Sequence, residues 1–174
     1  TNDAMLTNAC LASPSLTRLD LSRSGPAVTS PSVGGPQLAT LLATKCEHLV
    51  DEAVSTACNA SPRLTSLMLA LCTALHTPRI HGERLAELNL SGCHQLQDAA
   101  VTHACAHCPS LGRLTLSLCA ALIEPVIEGA KLRRVELSHA ERCAAIPAAL
   151  PAHQPPSPPA PASASPAAAS SSPS

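Results

Sequence analysis

The stretch His103 to Cys108, HACAHC, is the segment of the sequence that most resembles a set of metal ligands. On a helix, Cys105 and Cys108 would fall on the inward apolar stripe, whereas His103 and His107, four residues apart, would share the outward face. The four side chains would then not converge on one ion, and a single C-x-x-C without a second pair is a weak signal. We therefore rank a metal or redox cysteine protein below the other functions and expect no cofactor.

A second group of cysteines recurs at one position of a sequence repeat. Equivalent side chains on adjacent strands lie about 5 Å apart in a row, whereas four zinc ligands must lie within about 2.3 Å of one ion. The better interpretation is a row of buried structural thiols, formed by Cys46, Cys72, Cys93 and Cys119. The nine cysteines are odd in number, and their periodic spacing favours the cytoplasm or nucleus over a secreted disulfide framework.

The rest of the sequence offers no catalytic motif. It contains no nucleophile elbow, Walker loop, H-E-x-x-H or glycine fingerprint, so we expect no enzyme activity. The 174 residues carry a formal net charge of -1 with 13% charged residues, which gives no footprint for nucleic acid. The sequence has no run of about 18 apolar residues that would predict a membrane span. Aromatic residues are absent, so a core must be built from Leu, Val, Ile, Ala and Cys.

The chain is organised by a repeat of 47 residues. Almost every feature of Leu85 to Ser110 is already present in Leu38 to Arg63, and Leu64 to Arg84 reappears as Leu111 to Lys131. Longer and shorter units therefore alternate. After a partial repeat over residues 1–15, units begin at Leu16, Leu38, Leu64, Leu85, Leu111 and Leu132. Units of this length are typical of leucine-rich repeats, which stack into a solenoid.

Each unit opens with L-x-x-L-x-L, and the fourth and sixth positions of such a strand point into the core. In the longer units, Asp51 and Asp98 are predicted to be the N-caps of short helices, with Val101, Ala104 and Cys105 on the apolar stripe. The shorter units are predicted to return as extended chain. The predicted fold is α/β, a right-handed leucine-rich-repeat solenoid with a curved parallel sheet on its concave face and short helices and extended returns on its convex face.

Residues between the inward leucines are predicted to face the concave side of the sheet and to form the candidate protein-binding surface. Arg113 and Arg134 are expected to be neighbours there, with Glu87 beside Arg113 and Glu136 on the strand of Arg134. An arginine among short polar residues is an anchor for an acidic partner, and the alternative is a solvated charge pair. The candidate residues are Arg18, Asp20, Leu42, Met68, Glu87, Asn89, Arg113, Thr115, Arg134 and Glu136.

The repeat domain is assigned to residues 1–146, and a tail to residues 147–174. The tail is almost wholly Pro, Ala and Ser. This composition buries too little apolar surface to offset the entropy of ordering, so the tail is predicted to be disordered. Its PxxP spacings, such as Pro155 to Pro158, are of a kind that SH3 or WW domains bind, but a linker or tail is the preferred interpretation.

The repeat, written L-x-x-L-x-L-x-x-C-x-x-L-x-D-x-A-V, resembles the cysteine-containing leucine-rich repeats. The residues that carry this resemblance are Leu85, Leu88, Leu90, Cys93, Leu96, Asp98, Ala100 and Val101, followed by Cys108 and Pro109. Such repeats are typical of F-box and leucine-rich-repeat proteins and of the related antagonist-of-mitotic-exit family. The resemblance covers about residues 2 to 139.

The resemblance implies a protein–protein interaction module that captures a substrate protein for an SCF ubiquitin ligase, of the cullin-RING class. In the family an N-terminal F-box docks the ligase adaptor, and here it would have to precede Thr1, because the chain starts inside a repeat. The alternative is a generic leucine-rich-repeat scaffold in a cytoskeletal or ciliary assembly. A metal or redox cysteine protein is the third possibility.

Overall fold

The computed structural model describes residues 2–26, 28–129 and 131–137. The predicted tail over residues 147–174 and the end of the repeat domain at residue 146 lie outside these described residues. Within them the chain forms three helices, α1 (Asn2–Leu11), α2 (Asp51–Ala60) and α3 (Asp98–His107). The strands of the same residues are β1 (Arg18–Asp20), β2 (Thr40–Leu42), β3 (Ser66–Met68), β4 (Glu87–Asn89), β5 (Arg113–Thr115) and β6 (Arg134–Glu136).

The described strands form a single parallel sheet in the order β1-β2-β3-β4-β5-β6, so the fold is α/β with an all-parallel sheet. Each strand pairs with the next one along the chain without a register shift, and residues at the same position of L-x-x-L-x-L are direct partners. The central residues therefore form one continuous row across the sheet: Leu19, Leu41, Leu67, Leu88, Leu114 and Val135. The predicted alignment of successive leucines is confirmed.

The core lies on one side of this sheet and consists of aliphatic side chains and thiols. In β3, β4 and β5 the middle leucine is buried, as is the leucine two positions on. At the two ends of the described sheet, Leu19 and Val135 are only partly buried, since each has a neighbouring strand on one side only among the described residues. The apolar burial that drives folding is thus concentrated in the middle of the sheet.

Helices α2 and α3 pack one face against this core, and the sequence predicts that face. Val101, Ala104 and Cys105 of α3 are buried, and the predicted Cys108 is buried one residue beyond the last helical residue. No helix lies between β3 and β4 or between β5 and β6 in the part of the chain that is described, so the shorter units return without one. None of the described helices is long and apolar enough to cross a membrane.

The predicted N-caps are wrong. Helix α2 begins at Asp51 itself and α3 at Asp98, and the capping positions are Val50 and Gln97, which make no side-chain capping hydrogen bond. Their extended backbone, with φ -91° and ψ 161° at Val50, moves the aspartate one position into the helix. The carboxylates are therefore placed to accept hydrogen bonds from another part of the chain.

Candidate functional site

All ten residues of the predicted surface lie on the side of the sheet that faces away from the core, which we call the outer face. In a strand the side chains alternate, so the residues flanking each buried central leucine point outward. Those flanking residues are half-buried or exposed in every strand. The outer face carries one row formed by Arg18, Thr40, Ser66, Glu87, Arg113 and Arg134, and a second formed by Asp20, Leu42, Met68, Asn89, Thr115 and Glu136.

One half of the outer face is charged. Arg113 is the register partner of both Glu87 and Arg134, so the two arginines lie side by side as predicted. The Arg113 guanidinium lies 3.5 Å from the Glu87 carboxylate, and the Nε of Arg134 lies 2.6 Å from the Glu136 carboxylate. The two arginine side chains remain 51% and 53% exposed, so both guanidinium groups are accessible to another molecule.

Between these charged residues and Arg18 and Asp20 on β1, the outward residues of β2 and β3 are short or apolar. Leu42 and Met68 are direct partners on β2 and β3, and Thr40 and Ser66 are partners in the row beside them. A shallow depression of about 200 Å³ extends from Met68 into the charged residues, and its lining includes Glu87, Asn89, Arg113, Thr115 and Glu136. The outward residues of β2 and β3 are therefore uncharged, whereas β1, β4, β5 and β6 each carry a charged outward residue.

Two of the predicted binding residues also serve the turn that follows their strand. The amide of Ser22 donates to the Asp20 carboxylate at 2.9 Å, and the amide of Ser91 donates to the side-chain oxygen of Asn89 at 2.9 Å. Hydrogen bonds from the Ser22 side chain and from the Ser22 amide lower the pKa of Asp20 below its ordinary value. Part of the acceptor capacity of Asp20 and Asn89 is therefore used within the chain.

A third row of outward residues follows the first two, and the sequence interpretation missed it. Backbone hydrogen bonds continue beyond the strands, for example from the Leu71 amide to the Ser91 carbonyl at 2.7 Å. Each of these residues lies two positions after a residue of the second row, so the alternation of side chains along a strand would have predicted them. They are small and half-buried: Ser22, Thr44, Ala70, Ser91 and Ser117.

The His103 to Cys108 cluster separates into two faces, as its helical spacing predicts. Cys105 and Cys108 are buried, whereas the His103 and His107 rings stack at the surface of α3 with centroids 4.0 Å apart. The Nδ1 atoms of the two rings lie 3.1 Å from the Ile80 carbonyl and 2.9 Å from the His103 carbonyl. Across the described parts of the chain, no group of three or more His, Cys, Asp or Glu side chains is arranged to hold a metal ion.

The repeated cysteines form a buried row along the strand ends, which confirms their predicted position. Each thiol donates a hydrogen bond to a backbone carbonyl of an earlier segment, at 2.8 to 3.2 Å. The accepting carbonyls are those of Leu21, Ala43, Leu69 and Leu90, and the donors are Cys46, Cys72, Cys93 and Cys119. The thiols thus connect neighbouring segments beneath the sheet.

Burial raises the pKa of several thiols, both in this row and outside it. It raises the pKa of Cys93 to about 12, and it also raises the pKa of Cys108 to about 12. Cys46 is different, because a hydrogen bond with the neighbouring Cys72 thiol lowers its pKa and raises that of Cys72. The side chain of Cys46 is nevertheless fully buried, so a reagent in solution does not reach its sulfur.

The aspartates at the helix starts have a role that the sequence interpretation missed. Asp98 accepts hydrogen bonds from the amides of Ile123 and Glu124 at 2.9 and 3.0 Å, and Thr102 Oγ1 accepts one from the Val126 amide at 3.2 Å. The same arrangement joins α2 to the segment after β3 and α1 to the segment after β1. Each helix therefore fixes the next helix-free segment through backbone amides.

No protein-family model matches the chain, and no curated protein matches it either. The repeat motif and the geometry of the outer face are therefore the basis for a functional proposal.

Proposed function

We propose that this chain is a leucine-rich-repeat solenoid, wound as a right-handed superhelix, whose outer face is concave and binds another protein. Three features support the solenoid: the 47-residue repeat of the sequence, the parallel register of successive strands and the row of leucines beneath them. In such an array each unit buries its apolar side against its neighbours and leaves the outward residues of the strands for recognition.

The observation that carries the binding proposal is the contrast between the two sides of the same strands. Leu67, Leu88 and Leu114 have at most 1% of their surface exposed, whereas the residues beside them on the outer face are half-buried or exposed. Short polar, apolar and charged side chains alternate there without a backbone break, which makes a continuous surface. Six strands at about 4.8 Å spacing give a width of about 24 Å, which is the length of about seven extended residues.

We further propose that this surface is the substrate-recognition part of an F-box-type subunit of an SCF ubiquitin ligase. The support is the repeat motif that ends in Cys108 and Pro109, which resembles the cysteine-containing repeats of that family. The proposed mechanism is recognition alone: the outer face holds the substrate while a separate adaptor-binding module brings the ligase. The alternative remains a scaffold in a cytoskeletal or ciliary assembly.

Affinity capture with the full-length protein tests both the proposed binding by the outer face and the proposed ligase role. Three baits are compared by quantitative mass spectrometry: the wild type, Arg113→Glu on the outer face and Arg79→Glu, an exposed arginine on the side of the helices. The expected result is a partner that Arg113→Glu loses and Arg79→Glu keeps, with ligase adaptor and cullin recovered by all three baits. A partner set that Arg113→Glu leaves unchanged contradicts binding by the outer face.

Recovery of a partner that depends on Arg113 without any adaptor or cullin contradicts the ligase assignment alone. That result favours the scaffold alternative, because the surface would then bind protein without delivering it to a ligase.

A further inference from the structure

The two histidines of the His103 to Cys108 cluster form a pair on one face of α3. They are four residues apart, a spacing that brings side chains together on a helix surface. The rings of His103 and His107 stack with their centroids 4.0 Å apart and with 12° between the ring planes. The exposed His107 and the half-buried His103 therefore present two imidazoles next to each other at the surface.

Hydrogen bonds to the backbone fix which nitrogen of each ring carries the proton. Nδ1 of His103 lies 3.1 Å from the Ile80 carbonyl oxygen, and Nδ1 of His107 lies 2.9 Å from the His103 carbonyl oxygen. A carbonyl oxygen can only accept, so in the neutral rings Nδ1 is the donor and Nε2 keeps its lone pair. Metal-binding histidines commonly donate their other N–H to a backbone carbonyl in the same way. Both Nε2 atoms are thus available to an ion.

Two available imidazole nitrogens at this separation suit a divalent transition-metal ion. Imidazole is a good ligand for Zn²⁺, Cu²⁺ and Ni²⁺. A bond of about 2.0–2.1 Å from each nitrogen places two ligands of a tetrahedral ion about 3.3 Å apart. Because the ring centroids are already 4.0 Å apart, the two rings need only tilt out of their parallel stack to share one ion.

The histidine pair lines a groove on the helix side of the molecule, which has a volume of about 700 Å³. The charged lining residues are Glu52, Glu83 and Arg79, so two carboxylates outnumber one guanidinium and the groove favours a cation. His81 also lines the groove, but its nitrogens lie 2.9 Å from Asn59 Oδ1 and 3.2 Å from the Arg79 carbonyl oxygen, so both are used within the chain. The described residues provide no third protein ligand, so water completes the coordination.

We propose that His103 and His107 bind one divalent transition-metal ion, of the class of Ni²⁺, Cu²⁺ and Zn²⁺, through their Nε2 atoms. This site is additional to the proposed protein-binding surface, because α3 packs against the core and the outer face lies on the other side of the sheet. The ion requires the helical spacing of the two rings. It therefore binds the folded chain and stabilises it against unfolding.

Isothermal titration calorimetry of the full-length protein with Ni²⁺ tests this site. Ni²⁺ is the probe because, unlike Cu²⁺, it does not oxidise thiols. His107→Ala and His103→Thr introduce the residues that α2 carries at the equivalent positions, Ala60 and Thr56. Each variant is expected to weaken Ni²⁺ binding about tenfold or more, because one of two ligands is lost. The control is His94→Ala, at a single exposed histidine, which is expected to leave the affinity within about twofold.

The variants separate a shared ion from an ion held by one histidine. Affinity that falls in one variant and not in the other shows an adventitious ion only and overturns the proposal. Affinity that neither variant changes, or the absence of saturable binding below about 1 mM Ni²⁺, overturns it equally.

Thermal unfolding followed by circular dichroism provides a second measurement. Ni²⁺ is expected to raise the unfolding midpoint of the wild type and of His94→Ala, and a chelator is expected to reverse the rise. The rise is expected to disappear in His103→Thr and in His107→Ala. Spectra of these variants that match the wild type without Ni²⁺ exclude misfolding as the reason, and a rise that persists in both variants contradicts the site.

Discussion

Replacing Asp98 with alanine is expected to lower the free energy of unfolding by about 2 to 2.5 kcal/mol. The carboxylate accepts two hydrogen bonds, from the amides of Ile123 and Glu124, at 2.9 and 3.0 Å. Such a bond to a charged group contributes about 1.5–3 kcal/mol when well buried, but both amides belong to exposed residues, so we take about 1 kcal/mol for each. Losing an acidic side chain from the first helical turn adds about 0.3–0.5 kcal/mol.

Urea unfolding followed by far-ultraviolet circular dichroism measures this change, since a chain without aromatic residues gives no intrinsic fluorescence signal. The midpoint is expected to fall while the slope of the transition stays constant, because the surface exposed on unfolding is nearly unchanged. Asp51→Ala is expected to give a similar loss, because its carboxylate accepts two hydrogen bonds from the His76 and Thr77 amides, both at 2.9 Å.

Glu52→Ala is the matched control for the Asp98 experiment. Glu52 is an exposed acidic residue in the first turn of α2, so its removal changes the interaction with the helix dipole and little else. We expect a loss below about 0.5 kcal/mol. If Asp98→Ala and Glu52→Ala lower the free energy of unfolding equally, the bonds between carboxylate and amides contribute nothing, and the reasoning is refuted.

Three further predictions concern the core, a turn and the thiols. Leu90→Ala, at a side chain with 0% of its surface exposed, is expected to cost about 2–5 kcal/mol in urea unfolding. Gly92→Ala is expected to cost about 1–3 kcal/mol in the same assay, because φ is 73° there and the added methyl would lie 2.5 Å from the Leu71 side chain. The eight cysteines of the described residues, all buried, are expected to resist an aromatic disulfide reagent in the native protein and to react in denaturant, as followed by thiol absorbance and peptide mapping.

The first two of these predictions each have a control within the chain. Leu118→Ala, at a leucine that is 49% exposed, is expected to cost less than about 1 kcal/mol. Gly25→Ala has a similar φ of 70° but no atom within 4 Å of the added methyl, so the difference from Gly92→Ala isolates the clash. Equal costs within either pair would contradict the packing argument. Rapid native reaction of Cys93 or Cys108, identified by peptide mapping, would contradict their burial.

The sheet was predictable because its signal is repeated. The L-x-x-L-x-L motif places Leu41, Leu67, Leu88 and Leu114 at equal positions, and a constant 47-residue repeat leaves no freedom for a register shift. The pairing of Arg113 with Glu87 followed from the same register. Both predictions needed only the alternation of side chains along a strand.

The role of the helix aspartates was not predictable from capping preference alone. Capping rules consider only the helix that follows, whereas the acceptor atoms of Asp51 and Asp98 serve backbone amides 25 and 26 residues later. The donors are backbone amides, which do not depend on the side chain. The segments that donate these hydrogen bonds therefore need not resemble one another in sequence. The available signal was on the helices: an aspartate followed four residues later by Ser or Thr, as in Ser55 and Thr102, recurs in each of the described helices.

The most direct test of the central claim is site-specific photo-cross-linking of the full-length protein in extracts of its source. A photoreactive amino acid is placed at Thr115 on the outer face and, for comparison, at the exposed Glu52 on α2. Recognition by the sheet predicts a cross-linked partner from Thr115 and none from Glu52. A partner cross-linked from Glu52 and not from Thr115 would contradict the claim that the outer face is the binding surface.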